Sequence, residues 1–156
     1  MEAVATVKSA LRAFEGKKGV KRRNVDPLGL EALLPRVQFD DAALRELVLW
    51  DRYLGAAGAT SLADALKANS NVKKLVLRGN EVDNTGVQAL AGALSKNQNI
   101  KSFHFKHQNH YNDFVPLGKM LEQNSSLTDL SFCGNTRALG NYTSSVGITA
   151  LAVSKF

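Results

Sequence analysis

The residues with most to offer chemically lie in one short stretch, Ile100 to Asp113, reading IKSFHFKHQNHYND. All three histidines of the chain, His104, His107 and His110, fall within seven residues there. Three neutral imidazoles could hold a divalent metal, and one of them could serve as base to the single cysteine, Cys133. Neither chemistry works unless the backbone brings the groups together. No phosphate loop, nucleophile elbow or zinc-hydrolase signature occurs elsewhere in the sequence. On residue types alone no catalytic residue, cofactor or metal site is assigned, and the chain reads as a non-enzyme. What positions the histidines must come from the surrounding elements.

With 156 residues, 44% of them apolar and 22% charged, the chain suits one globular domain with a real core. No run approaches the ~18 apolar residues of a membrane span. Glu2, Lys8, Arg12 and Glu15 break up any secretory signal, and the two early glutamates argue against a transit peptide. Val4, Val7, Leu11 and Phe14 instead mark one face of an amphipathic helix over 2–15. One cysteine excludes an internal disulfide framework and a Cys-rich zinc site, which suits an intracellular setting, most simply the cytoplasm, with an organelle as the alternative. The net charge of +6 admits acidic partners. It is concentrated in KKGVKRR, where Lys17, Lys18, Lys21, Arg22 and Arg23 stand without an acid.

A repeat organises the rest. Apolar triads recur at Leu44, Leu47, Leu49, then Val72, Leu75, Leu77, then Ile100, Phe103, Phe105, then Leu127, Leu130, Phe132. Their starts are spaced 28, 28 and 27 residues apart. Gly58 keeps step with Gly86, Leu62 with Leu90, Leu66 with Leu94, and Asn69 with Asn97 and Asn124. Each unit opens with strand-like alternation, as in VKKLVLRGN, and closes with helical spacing, as in GVQALAGALSKN. The closing asparagines suit left-handed helix caps. Asn80 and Asn135, just after their strands, suit buried amides that satisfy neighbouring backbone. A unit of this kind cannot bury its apolar side alone, so stacked neighbours must supply the core.

The units LRELVLWDRYLGAAGATSLADALKANSN and VKKLVLRGNEVDNTGVQALAGALSKNQN resemble leucine-rich repeats of the ribonuclease-inhibitor-like subclass, and the two units after them do so more loosely. The expected fold is α/β: a short solenoid, or horseshoe fragment, with parallel strands on the concave face and helices on the convex face. Residues 44–156 would form about four repeats (44–71, 72–99, 100–126 and an incomplete 127–156). Residues 1–43 would form an N-terminal helix, the basic segment and a degenerate capping half-repeat. In that cap Asp26 and Pro27 open a short helix that Pro35 ends. The resemblance implies recognition of another macromolecule through the concave face or its rims. It spans ribonuclease inhibitors, GTPase activators, tropomodulin-like actin cappers and innate immune receptors, and selects none of them.

Departures from the pattern stand out. Arg52 and Gln108 replace the post-strand asparagine, and TRALGNYTSS interrupts the fourth unit. Its helix, projected to about residue 158 by the repeat period, meets the end of the sequence first. GITALAVSKF would then need cover from another chain, unless the sequence is a fragment.

The register projects Glu46, Val48 and Trp50 onto the concave face, followed by Lys74, Val76 and Arg78, by Ser102, His104 and Lys106, and by Asp129, Ser131 and Cys133. Trp50, Arg78 and Lys106 stand side by side, with strands ~4.8 Å apart. A tryptophan beside two cations suits a peptide with acidic and apolar residues. The plain alternative is a solvated strand face with Trp50 packed under the N-terminal cap. Glu46, Lys74 and His104 complete the candidate contacts. The partners expected are other protein chains, in a scaffold or assembly subunit or, alternatively, a transient GTPase- or signalling-associated adaptor. Nucleic acid or an anionic surface, met through the basic segment, is a secondary reading, since the face also holds Glu46, Asp51 and Asp129 and no nucleic-acid-binding motif is present. Cys133 and His104 are two residues out of line on neighbouring strands, roughly 8 Å apart at Cα, too far for a catalytic dyad. His107 lies at the strand exit and His110 where Leu54 and Val82 stand, so one metal could hold all three histidines only if the loop folded back sharply.

Overall fold

The computed structural model describes residues 30–108 and 113–133. Helix 2–15, the basic segment, Asp26–Pro27, His110, Asn135 and everything after Cys133 lie outside them. Each of the first three repeats delivers one strand and one helix, and the fourth contributes its strand among the described residues: β1 (Glu46–Trp50), α2 (Gly55–Ala68), β2 (Lys74–Arg78), α3 (Asn84–Lys96), β3 (Ser102–Lys106), α4 (Val115–Gln123) and β4 (Asp129–Cys133), preceded by α1 (Leu30–Gln38). The four strands form one parallel sheet in the order β1-β2-β3-β4. The triads set the register, since Leu47, Leu75, Phe103 and Leu130 are mutual partners, as are Leu49, Leu77, Phe105 and Phe132. Helices in contact stand ~8–10 Å apart and strands only ~4.8 Å, so the stack bends with its strands inside.

The core lies between sheet and helices. Leu47, Leu49, Leu75, Leu77, Phe103 and Phe105 are all buried and meet Leu62, Leu66, Leu90 and Leu94 from the helices. Where the first two units use leucine, the third uses phenylalanine. Phe103, Phe105, Phe114 and Phe132 form a ring cluster with centroids 5.4–6.5 Å apart, two of the pairs edge-on. Such rings fill the larger space and gain from edge-to-face geometry.

Pro35 does not end α1. It lies inside the helix, which runs on to Gln38. Proline removes only its own donor, while its carbonyl and that of Arg36 still accept from Phe39 and Asp41. Burial of Leu33, Leu34 and Val37 against α2 carries the helix past it.

The asparagines that close the helices are not left-handed. Asn69, Asn97 and Asn124 are extended, with φ/ψ of −75/129°, −78/112° and −92/116°. Their amides do the work instead. Asn97 Oδ1 accepts from the backbone N–H of Asn99 and Ile100, at 2.8 and 3.0 Å, and Nδ2 donates to Leu66 O and Asn69 O, at 2.7 and 2.8 Å. Asn124 repeats this on Leu94 O and Asn97 O, and Asn69 reaches back to Val37 O of α1. Each amide turns its own chain into the next strand and pins the helix end of the unit before. A left-handed backbone would have pointed it away from both.

Gln108 is a departure in sequence but not in role. Asn80 accepts from Arg52 N and donates to Leu49 O and Arg78 O. Gln108 accepts from Asn80 N and donates to Leu77 O and Lys106 O, the equivalent atoms one repeat on, and also accepts from Val82 N.

Candidate functional site

The open face of the sheet carries three rows of side chains, one from each outward position of the strands. The row at the strand starts is Glu46, Lys74, Ser102 and Asp129, the middle row is Val48, Val76, His104 and Ser131, and the row at the strand ends is Trp50, Arg78 and Lys106, with Cys133 as the backbone partner of Lys106. The strand register is the expected one, while Asp51, expected on this face, falls in the turn beyond β1.

The first two rows satisfy much of their own charge. Lys74 Nζ lies 3.6 Å from Glu46 Oε2. Asp129 Oδ2 accepts from Ser102 Oγ at 2.7 Å and pairs with His104 Nε2 at 2.8 Å. The Ser102 hydroxyl, then His104, hold the Asp129 carboxyl below the usual carboxylate range, against a small opposing effect of burial. A serine, a histidine and an acid thus meet on one face, but not as a relay. A relay needs the imidazole between hydroxyl and carboxylate, one ring nitrogen toward each. Here Nε2 faces both groups, and Ser102 donates to the acid itself. Sequence reasoning placed Asp129 on the face and missed this pairing. The signal available was that His104 and Asp129 lie on adjacent strands two register positions apart.

The third row differs. Trp50 is 46% exposed, so it is not packed beneath α1. Arg78 Cζ lies 5.9 Å from the centre of its ring, within cation–π range. Among the described residues no acid pairs with Arg78 or Lys106. Cys133 pairs with Lys106 in register and His104 with Ser131, so Cys133 and His104 are offset as expected.

The strand exits beyond this row turn through the left-handed region at equivalent positions: Asp51 at φ 51°, Gly79 at 63° and His107 at 50°. His107 is therefore a turn residue. Among the described residues no group of three His, Cys, Asp or Glu side chains could hold a metal ion, and no helix is long and apolar enough to cross a membrane. On the helical side a groove of about 380 Å³ runs between α3 and α4, lined by Gln88, Gly92, Ser95, Val115 and Lys119 among others. One further exposed apolar side chain, Phe39 at 81%, follows α1 and was not singled out by the repeat pattern.

This stacked, single-sided arrangement defines a leucine-rich-repeat-like α/β solenoid. No protein-family model matches the chain, and no curated protein matches its sequence. Among solved structures, it is similar to leiomodin-1 actin-binding site 2, at 24% identity and a TM-score of 0.64, over 74% of this chain and 68% of that one. It is also similar to the tropomodulin C-terminal domain of Caenorhabditis elegans, at 12% identity and a TM-score of 0.58, over 81% and 91% respectively. At these identities the likeness establishes the fold.

Proposed function

We propose that this chain is a non-catalytic protein–protein interaction module, a scaffold or structural subunit of a larger assembly, docking through the open face of its sheet. One observation carries the reading. The only tryptophan of the chain stands half-exposed on a preformed strand face beside two cations that lack acidic partners among the described residues. Aromatic and arginine side chains are the usual anchors of protein interfaces, and a rigid face loses little entropy on binding. The 28-residue period supports the ribonuclease-inhibitor-like subclass, and it supports the division into a cap over 1–43 and repeats over 44–156. The basic segment Lys17, Lys18, Lys21, Arg22 and Arg23 would add a second contact to an acidic protein surface. The intracellular, cytoplasmic setting rests on cysteine usage.

Purification of the tagged full chain through high salt tests the reading. A partner protein retained in stoichiometric amount, and released by Trp50→Ala or by Arg78→Glu with Lys106→Glu, is the expected result. A partner retained equally by those variants overturns it. A salt-sensitive monomer with weak, Trp50-dependent binding identifies the transient adaptor instead.

The likeness to the leiomodin-1 actin-binding site 2 favours a narrower second reading, with actin as the protein partner. Co-sedimentation with filaments and native gels with monomeric actin check it. Binding lost in the same variants supports it, and no shift at saturating actin removes it.

A further inference from the structure

The partner's form follows from the spacing of the exposed row, given the docking reading above. Trp50, Arg78 and Lys106 occupy one register position on three adjacent strands. With strands ~4.8 Å apart, the row runs ~10 Å across the sheet. A ligand that meets all three must present side chains about every 5 Å along one line. An extended peptide presents same-face side chains every ~6.7 Å and falls out of step by ~2 Å at each strand. An α-helix presents residues i, i+3 and i+4 at ~5–6 Å, and seven residues of helix rise ~10.5 Å, close to the length of the row.

Charge decides what the helix carries. The indole offers apolar area, and Arg78 and Lys106 offer positive charge without an acidic partner among the described residues. The other candidate contacts are already engaged, Glu46 with Lys74 and His104 with Asp129. We infer that Trp50, Arg78 and Lys106 form the recognition site for an acidic α-helix of a partner protein, lying across the strands. It sets an apolar side chain on Trp50 and carboxylates one and two turns further on, over Arg78 and Lys106.

The single indole makes the test direct. Trp-free peptides built on alanine and glutamine, the matched and permuted ones of identical composition, are titrated into the full chain while Trp50 emission is read. The matched peptide has leucine at i and glutamate at i+4 and i+7. A permuted peptide has glutamate at i+2 and i+5, and a third carries a central proline. Oligothymidylate and phosphatidylserine vesicles complete the set. The matched peptide is expected to bind about tenfold or more tightly than the permuted one. Arg78→Glu and Lys106→Glu are each expected to cost about tenfold, as oppositely charged contacts do. The charge-swapped pair Glu46→Lys with Lys74→Glu should leave binding unchanged, and circular dichroism checks that each variant is folded. Equal binding of permuted or proline peptides overturns the helix. Preferential response to oligothymidylate or vesicles overturns the acidic protein partner. No response to any probe overturns the partner class, while the docking reading stands or falls on the purification above.

Discussion

At Asp129, one carboxylate oxygen takes both the Ser102 hydroxyl and the His104 ring nitrogen, and that sharing removes the imidazole from the set of free groups on the face. It also sets an acid response. The carboxyls of Asp129, Asp40 and Asp41 lie below their ordinary value of 3.8, chiefly through the hydroxyl of Ser102, the hydroxyl of Ser70 and the guanidinium of Arg36 respectively. A folded value below the unfolded one means that the stabilisation is complete above about pH 4–5 and is lost as pH falls through the folded values. Urea unfolding at pH 7 and pH 3 should show wild type losing more stability than Asp129→Asn over that interval, and an equal loss would contradict the pairing. Gln108 supports a second expectation. Its amide is buried and makes four hydrogen bonds to backbone. Gln108→Ala strands those groups and should cost about 2–3 kcal/mol. Gln108→Asn matches Asn80 one repeat earlier and should recover most of that loss.

At the scale of elements, two glycines of α3 make opposite predictions. A Cβ on Gly86 would sit 2.5 Å from Val82 Cγ1 and 2.9 Å from Ala59 Cβ, both buried in the seam with α2. Gly86→Ala should therefore destabilise by about 1–3 kcal/mol through overpacking. A Cβ on Gly92 meets nothing within 4 Å, so Gly92→Ala should stabilise by about 0.5–1 kcal/mol through helix propensity alone. Urea midpoints for the two variants check both signs. The elements themselves were legible because period-two and period-3.6 patterns alternate within a fixed repeat, so four strands and their register followed from the triads. What escaped were choices settled by neighbours rather than by local preference. Asn69, Asn97 and Asn124 read locally as left-handed caps, yet their amides bond to the preceding unit, which requires extended backbone. Pro35 reads as a stop, yet burial of Leu34 and Val37 continues the helix. Gln108 reads as a departure, yet with one added methylene its amide still reaches the backbone atoms equivalent, one repeat on, to those that Asn80 bonds.

For the whole molecule, the solenoid sorts its surface by charge. The strand starts and His104 are paired among themselves, and the strand ends hold Trp50 and Arg78 exposed and Lys106 half-buried, with no acidic partner among the described residues. Sequence register put all six candidate contacts on one face, but only side-chain geometry separates the three that are engaged from the three that are available. Charge reversal should follow the same division: Arg78→Glu weakens partner binding at least about tenfold, whereas reversing the Glu46–Lys74 pair together changes it little. The most direct measurement of this account is hydroxyl-radical footprinting of the chain alone and in its complex. Trp50 and Phe39 are the two large apolar side chains exposed among the described residues, one on the open face and one beyond α1, so each serves as reference for the other. The account predicts that Trp50 loses most of its oxidation in the complex while Phe39 is oxidised as before. Protection of Phe39 with Trp50 unchanged would contradict it.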